Sequence, residues 1–241
     1  MKYKAILFDL GSTLINFDNN SWDELGRRGC EAAGKLLDGM TNEVITPEKL
    51  WADFHYAIDM MFENHSEDLK EIDIYEVTAK ILANLGITSP DGLVTRFVDT
   101  YYQPITTQIT LIPGADAILK SIKEAGSKIG LVSNTVFPAK FHRAEMTRFG
   151  ILPYFDFTIF SSEIGYRKPK KDIYFKALEL AGTQPEETIF VGDRMVEDVG
   201  GPQSVGIKGI LKFTDGRDYS APVTPYKTIH ELSELKSILL A

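Results

Sequence analysis

The sequence predicts an α/β protein: a Rossmann-like parallel sheet with helices on both faces, plus an inserted all-helical domain. Three observations predict this. From Pro113 onward, short apolar runs alternate with helical patterns, as in parallel sheets covered by helices. One more apolar run, Ala5 to Phe8, stands near the N-terminus. Between the two lies a block of roughly 85 residues with helical periodicity and no strand pattern. The expected division is 1–17 and 105–241 for the α/β core and 18–104 for the insertion.

The elements follow in order. Lys4 to Phe8 reads as a buried strand, and Gly11 to Asn20 is polar and turn-rich. Ser21 to about Asp38 reads as a helix with Ser21 as its cap, from the spacing of Trp22, Leu25, Cys30, Ala33, Leu36 and Leu37. Thr46-Pro47-Glu48 opens a second helix that carries Leu50 through Phe62. A third covers Ile72 to Leu85 and stops at Gly86. A fourth runs from Ser89 to Tyr101, and Gln103-Pro104 ends the block. Beyond it, strands are expected at Lys128–Ser133, Phe155–Phe160, Thr188–Val191 and Gly209–Leu211. Helices are expected at Pro113–Gly126, Lys140–Phe149, Lys171–Ala181, Met195–Val205 and Glu231–Leu240.

Bulk properties narrow the function. The chain has 241 residues, of which 44% are hydrophobic and 25% charged, a composition of ordinary globular domains. Its formal net charge of −8 argues against a nucleic-acid partner. Cys30 is the single cysteine, so no internal disulfide can form, which suits a reducing cytosol. The apolar run at the N-terminus is too short for a signal-peptide core, and no stretch approaches a membrane span. The expectation is a cytoplasmic protein without a membrane partner.

Chemistry concentrates just past the strands. In open α/β sheets, ligands bind beyond the carboxyl ends of the strands. The first strand ends on Asp9, followed by Gly11, Ser12 and Thr13. The second ends on Ser133-Asn134, where a hydroxyl can bind a phosphoryl oxygen. Lys168 precedes Pro169, which restricts its backbone and so the direction of a cation that can offset charge. Arg167, Lys170 and Lys171 read as a solvated basic loop, and Glu197 as solvated. The fourth strand ends on Asp193, with Asp198 after it, and clustered carboxylates suit a hard cation such as Mg²⁺. A carboxylate, a hydroxyl, a lysine and an acid pair make a constellation for metal-assisted phosphoryl transfer.

The segments Phe8-Asp-Leu-Gly-Ser-Thr-Leu14, Val132-Ser-Asn134, Lys168-Pro169 and Val191-Gly-Asp193 with Asp198 resemble the four motifs of the haloacid dehalogenase-like superfamily. The helical insertion is similar to that family's helical cap, which would select a small phosphorylated substrate. By this resemblance, Asp9 is the nucleophile and forms an aspartyl-phosphate. Ser133 and Lys168 would act with it, and Ser133, Asn134 and Lys168 would bind substrate. Mg²⁺ would be held by Asp9, the carbonyl of Gly11, Asp193 and Asp198, the last through water or by orienting its neighbours. One position departs: phosphatases of the family carry a second Asp, a general acid and base, where this chain has Gly11. Three readings follow. The first is a Mg²⁺-dependent phosphatase. The second is a 2-haloacid dehalogenase, which needs no proton donor but leaves Asp193 and Asp198 unexplained. The third is a protein that keeps the site for binding or regulation without efficient turnover.

Overall fold

The computed structural model of the chain describes residues 3–17, 21–41, 44–64, 67–87 and 90–239. By its internal contacts the chain divides into two compact units. One comprises Met1–Asn16, Asp68–Glu71 and Thr110–Ala241; the other comprises Phe17–Glu67 and Ile72–Ile109. Asp68–Glu71 lie inside the stretch expected as insertion but group with the α/β unit.

The α/β unit is built on a six-stranded parallel sheet. Its strands are β1 (Ala5–Phe8), β4 (Lys128–Ser133), β5 (Phe157–Phe160), β6 (Thr188–Gly192), β7 (Lys208–Lys212) and β8 (Lys227–Ile229), in the order β5-β4-β1-β6-β7-β8. Two short strands, β2 (Ile15–Asn16) and β3 (Thr110–Leu111), form a separate antiparallel pair. β1 is apolar throughout and all four residues are buried, as a central parallel strand requires. Phe8 pairs with Leu131 on one side and Val191 on the other, so β1, β4 and β6 end at one edge. From β1 the chain proceeds outward to β4 and β5, then returns to β6 and builds the other half. That reversal beside β1 is where ligand crevices form in such sheets.

The helix Lys171–Ala181 shows why the strand faces are covered. Ile173, Tyr174, Ala177, Leu178 and Ala181 make one buried stripe at helical spacing. Four of these, all but Ala181, pack in one core cluster with Leu7, Val132 and Phe190.

Strand expectations at Lys128–Ser133 and helix expectations at Lys171–Ala181 coincide with the observed bounds. β2, β3 and β8 were not expected: two or three residues carry no periodicity to read. The expected helix Met195–Val205 is instead a wide π-type turn, Met195–Gly200, followed by Gly201–Gln203. The expected C-terminal helix begins as a 3-10 turn, Leu232–Glu234, and continues as Leu235–Leu239.

The other unit is helical among its described residues. Trp22–Gly34 is capped by Ser21, whose Oγ accepts from the Glu24 amide at 3.5 Å. The segment Pro47–Glu63 starts at the Thr46 cap, but its middle, Trp51–Tyr56, is π-helical. Ile74–Asn84 follows the Asp73 cap, and Leu93–Gln108 follows Gly92. The expected start at Ser89 lies outside the described residues. Pro104 does not end the last helix as expected; it lies inside it. Its missing N–H removes one hydrogen bond, yet Tyr101, Tyr102 and Ile105 are buried around it and keep the chain helical. Among the described residues no helix is long and apolar enough to cross a membrane.

Candidate active site

Asp9 follows β1 and is 7% exposed. Its amide is fixed by the Val191 carbonyl at 2.9 Å, which ties the residue to the end of β6. The turn after it closes on itself. Leu14 and Ile15 donate to the Leu10 carbonyl, and the Ser12 amide donates to the Ile15 carbonyl at 2.7 Å. Ser12 takes φ +56°, a left-handed conformation that is uncommon for a residue with a side chain.

Lys168 is the centre of the charge arrangement. Its Nζ donates to Asp9 Oδ1 and to Asp198 Oδ1, both at 2.7 Å, and the side chain is 2% exposed. Burial alone disfavours a charged lysine, but Asp198 and Asp9 outweigh it and hold the ammonium above the ordinary lysine range. Asp198 is wholly buried, and its Oδ2 accepts from the Arg194 amide at 2.9 Å. Burial pushes its carboxyl up to about 7; Lys168 opposes this, and the charges of Asp9 and Asp193 add to it. Burial and then Asp9 likewise raise Asp193, against the pull of Arg217. Gly192 makes room for this packing: a Cβ there would lie 2.3 Å from the Asp198 carboxyl carbon.

Ser133 is buried at the end of β4, next to the end of β1. Asn134, expected as a substrate contact, bonds the Lys168 backbone with both ends of its amide. Its Nδ2 donates to the Lys168 carbonyl at 3.0 Å and its Oδ1 accepts from the Lys168 amide at 2.8 Å. These two bonds hold the Asn134 side chain against the backbone of Lys168. Arg167 is also not solvated: it is 3% exposed, with Nη1 3.9 Å from Glu71 Oε1. Lys170 is half-buried and donates to the Asp68 carbonyl at 3.2 Å, Glu197 is half-buried, and Lys171 is exposed.

Asp9, Asp193 and Asp198 each present a carboxylate oxygen within 4.8 Å of the others. Three clustered carboxylate oxygens, with the Gly11 carbonyl on the adjoining turn, could hold a hard divalent cation. The residues therefore fit Mg²⁺.

Sequence reading missed Arg217. Its Nε donates to Asp193 Oδ2 at 2.7 Å and its Nη2 to Ser12 Oγ at 2.9 Å. Asp215-Gly216-Arg217 carries no motif, but it follows β7, and strand-end position was the signal that found the other residues.

Comparison with known proteins gives the family and the fold. The sequence pattern of haloacid dehalogenase-like hydrolases matches residues 3–206. The chain is 27% identical to a glyceraldehyde 3-phosphate phosphatase of Methanocaldococcus jannaschii, covering 98% of this chain and 96% of that protein. It is 27% identical to the pyrimidine 5'-nucleotidase YjjG of Escherichia coli, over 99% of both. Among solved structures, a HAD phosphatase from Thermococcus onnurineus aligns with a TM-score of 0.67 at 22% identity, covering 98% of this chain and 97% of that one. A 2-haloacid dehalogenase from Pseudomonas syringae aligns at 0.71 and 20%, covering 99% and 98%; at such identities the likeness is one of fold.

Proposed function

Since this chain belongs to the haloacid dehalogenase-like hydrolases, we propose that it is a Mg²⁺-dependent phosphatase of small phosphorylated metabolites. The observation that carries the reading is the shared ammonium of Lys168 between Asp9 and Asp198, inside a cluster of three carboxylates. Dehalogenation needs no cation, so it would leave the grouping of three carboxylates unexplained.

Asp9 Oδ1 attacks phosphorus, the leaving oxygen departs, and an aspartyl-phosphate forms; water then attacks its phosphorus and regenerates the carboxylate. Lys168 offsets the charge of the Asp9 carboxylate and of the incoming phosphoryl oxygens together, so that the two can approach, while Ser133 offers those oxygens a hydroxyl from the neighbouring strand end. Asp198 holds Lys168 on one side and Asn134 fixes its backbone on the other. The cation, bound by Asp9, Asp193, the Gly11 carbonyl and, directly or through water, Asp198, would supply charge neutralisation of the phosphoryl group. The helical unit serves as the substrate-selecting cap. The sister phosphatases act on a triose phosphate and on pyrimidine nucleotides by name, and compounds of those sizes are the first to try.

The test is phosphate release from a panel of sugar phosphates, nucleotides, acyl phosphates and phosphoacids, with Mg²⁺ and with EDTA. Asp9→Asn is expected to lose at least ~10³-fold in rate, as a removed covalent nucleophile does. Full activity in EDTA, or an Asp9→Asn variant at the wild-type rate, would overturn the reading.

A further inference from the structure

Arg217 joins two groups that a cation site must hold together. Nε holds one oxygen of Asp193, which restrains rotation of the carboxylate about its Cβ–Cγ bond and so biases the direction of its second oxygen. Nη2 fixes the side chain of Ser12. The Ser12 amide belongs to the same peptide plane as the Gly11 carbonyl. With that N–H bonded to the Ile15 carbonyl, a trans peptide points the Gly11 oxygen the opposite way. Thr214 Oγ1 donates to the Ser12 carbonyl at 3.4 Å and receives Lys212 Nζ at 3.3 Å, while Tyr219 Oη binds both the amide and the carbonyl of Thr214. The segment after β7 is thus a clasp on the turn after β1.

We infer that Arg217 is a positioning residue of the cation site, locking the Asp193 carboxylate and the Gly11–Ser12 turn into one unit. The inference rests on the Mg²⁺ reading above. Two effects of opposite sign compete. A guanidinium beside a cation site repels the cation, whereas an outer hydrogen bond that orients a ligating carboxylate strengthens binding. Orientation prevails here because the guanidinium bridges two separate elements, and losing it frees both at once. A lysine would bring the charge without the bridge, since its ammonium is a point donor and not a planar fork.

The test measures Mn²⁺ and Mg²⁺ binding directly to the full chain, by calorimetry and by the Mn²⁺ electron-spin signal. The proteins are wild type, Arg217→Met, Arg217→Lys, Ser12→Ala and Arg217→Met/Ser12→Ala. Arg217→Met is expected to bind about 10–100-fold more weakly, the usual effect of an outer-shell loss. Arg217→Lys should recover less than half of the logarithmic loss. Ser12→Ala should weaken binding by less, and should add nothing on top of Arg217→Met, because both cut the same bridge. Unchanged or tighter binding by Arg217→Met overturns the inference, as does full rescue by lysine, which would make the role one of charge alone. If Arg217→Met is not folded by its melting curve, Ser12→Ala decides, and wild-type affinity in it overturns the bridge. Failure of the wild type to bind either metal removes the Mg²⁺ reading itself, and that arm is read without any variant.

Discussion

Gly11 leaves the turn after β1 without the carboxylate that family phosphatases carry there, and no side chain can leave position 11 to protonate a departing alkoxide. Asp18, the nearest acid in sequence to that turn, lies outside the described residues. A positioned general acid supplies ~10²–10⁴-fold in rate. Aryl and acyl phosphates should therefore react much faster than alkyl phosphates. A plot of log rate of phosphoenzyme formation against leaving-group pKa should be steep, and Gly11→Asp should flatten it. Under the proposed mechanism the same deficit should slow activation of water in the second step, so a burst of alcohol release is expected with good leaving groups. A shallow wild-type slope would refute the idea. Because aspartate at 11 could disturb the turn, Mg²⁺ affinity of the variant is measured before its slope is compared.

At the scale of elements, the π-helical stretch Trp51–Tyr56 sets a polar pair into the apolar middle of the helical unit. His55 is 2% exposed; its Nδ1 lies 2.5 Å from the Tyr101 hydroxyl, and its ring packs 5.3 Å from Trp22. Helix Trp22–Gly34 has glycines where these side chains press on it. A Cβ on Gly26 would meet the His55 ring at 2.3 Å, and one on Gly29 would meet the Tyr101 carbonyl at 2.7 Å. That accounts for two residues of poor helix propensity in an otherwise regular helix. Burial lowers the affinity of His55 for a proton; Asp23 opposes this and Arg27 adds to it. The sign follows. Unfolded histidine titrates near 6.5, and the folded group binds its proton only at lower pH. Between the two, the unfolded chain holds more protons at this site, so the contribution of His55 to stability is full above 6.5 and is lost as pH is lowered. Urea midpoints at pH 8 and pH 5.5 measure this. Replacing His55 by Gln should shrink the fall between the two pH values even though its packing loss lowers both midpoints. An equal fall in wild type and variant would show that His55 is not the titrating group.

For the molecule as a whole, the division of the chain is less simple than one insertion between two halves. Asp68–Glu71 belong to the α/β unit although helical-unit residues flank them on both sides. Lys70 pairs with Tyr166, the Glu71 amide donates to the Gly165 carbonyl, and the Arg167 amide donates to the Leu69 carbonyl. The Glu71 side chain, 1% exposed, accepts from Ser161 Oγ at 2.5 Å, and the same hydroxyl accepts from the Thr135 amide at 2.8 Å. A buried carboxylate thus ties this short segment to the loops that carry Asn134 and Lys168. A charged buried hydrogen bond contributes about 1.5–3 kcal/mol. Glu71→Ala should lower unfolding free energy by ~2 kcal/mol in urea denaturation, and Glu71→Gln, which keeps an acceptor, by about half of that. A change below ~0.5 kcal/mol for alanine would mean that water replaces the carboxylate there.

The sequence by itself determined the sheet and the edge at which its candidate site residues gather. Apolar runs of four to six residues marked β1, β4 and β6 because a strand buried on both faces must be apolar throughout. Asp9, Ser133, Lys168, Asp193 and Asp198 were found as the polar residues just beyond such runs or fixed by a proline, and the structure brings Asp9, Lys168, Asp193 and Asp198 into one buried cluster. Tertiary structure decided what depends on partners far along the chain. Arg217 reaches Ser12 across 205 positions and Glu71 reaches Ser161 across 90, and neither pairing leaves a local pattern. The helix through Pro104 continues because buried neighbours outweigh one lost hydrogen bond. The pairing of the Asn134 amide with the Lys168 backbone likewise depends on the fold, because a side-chain amide finds its matching donor and acceptor only where folding sets another backbone beside it.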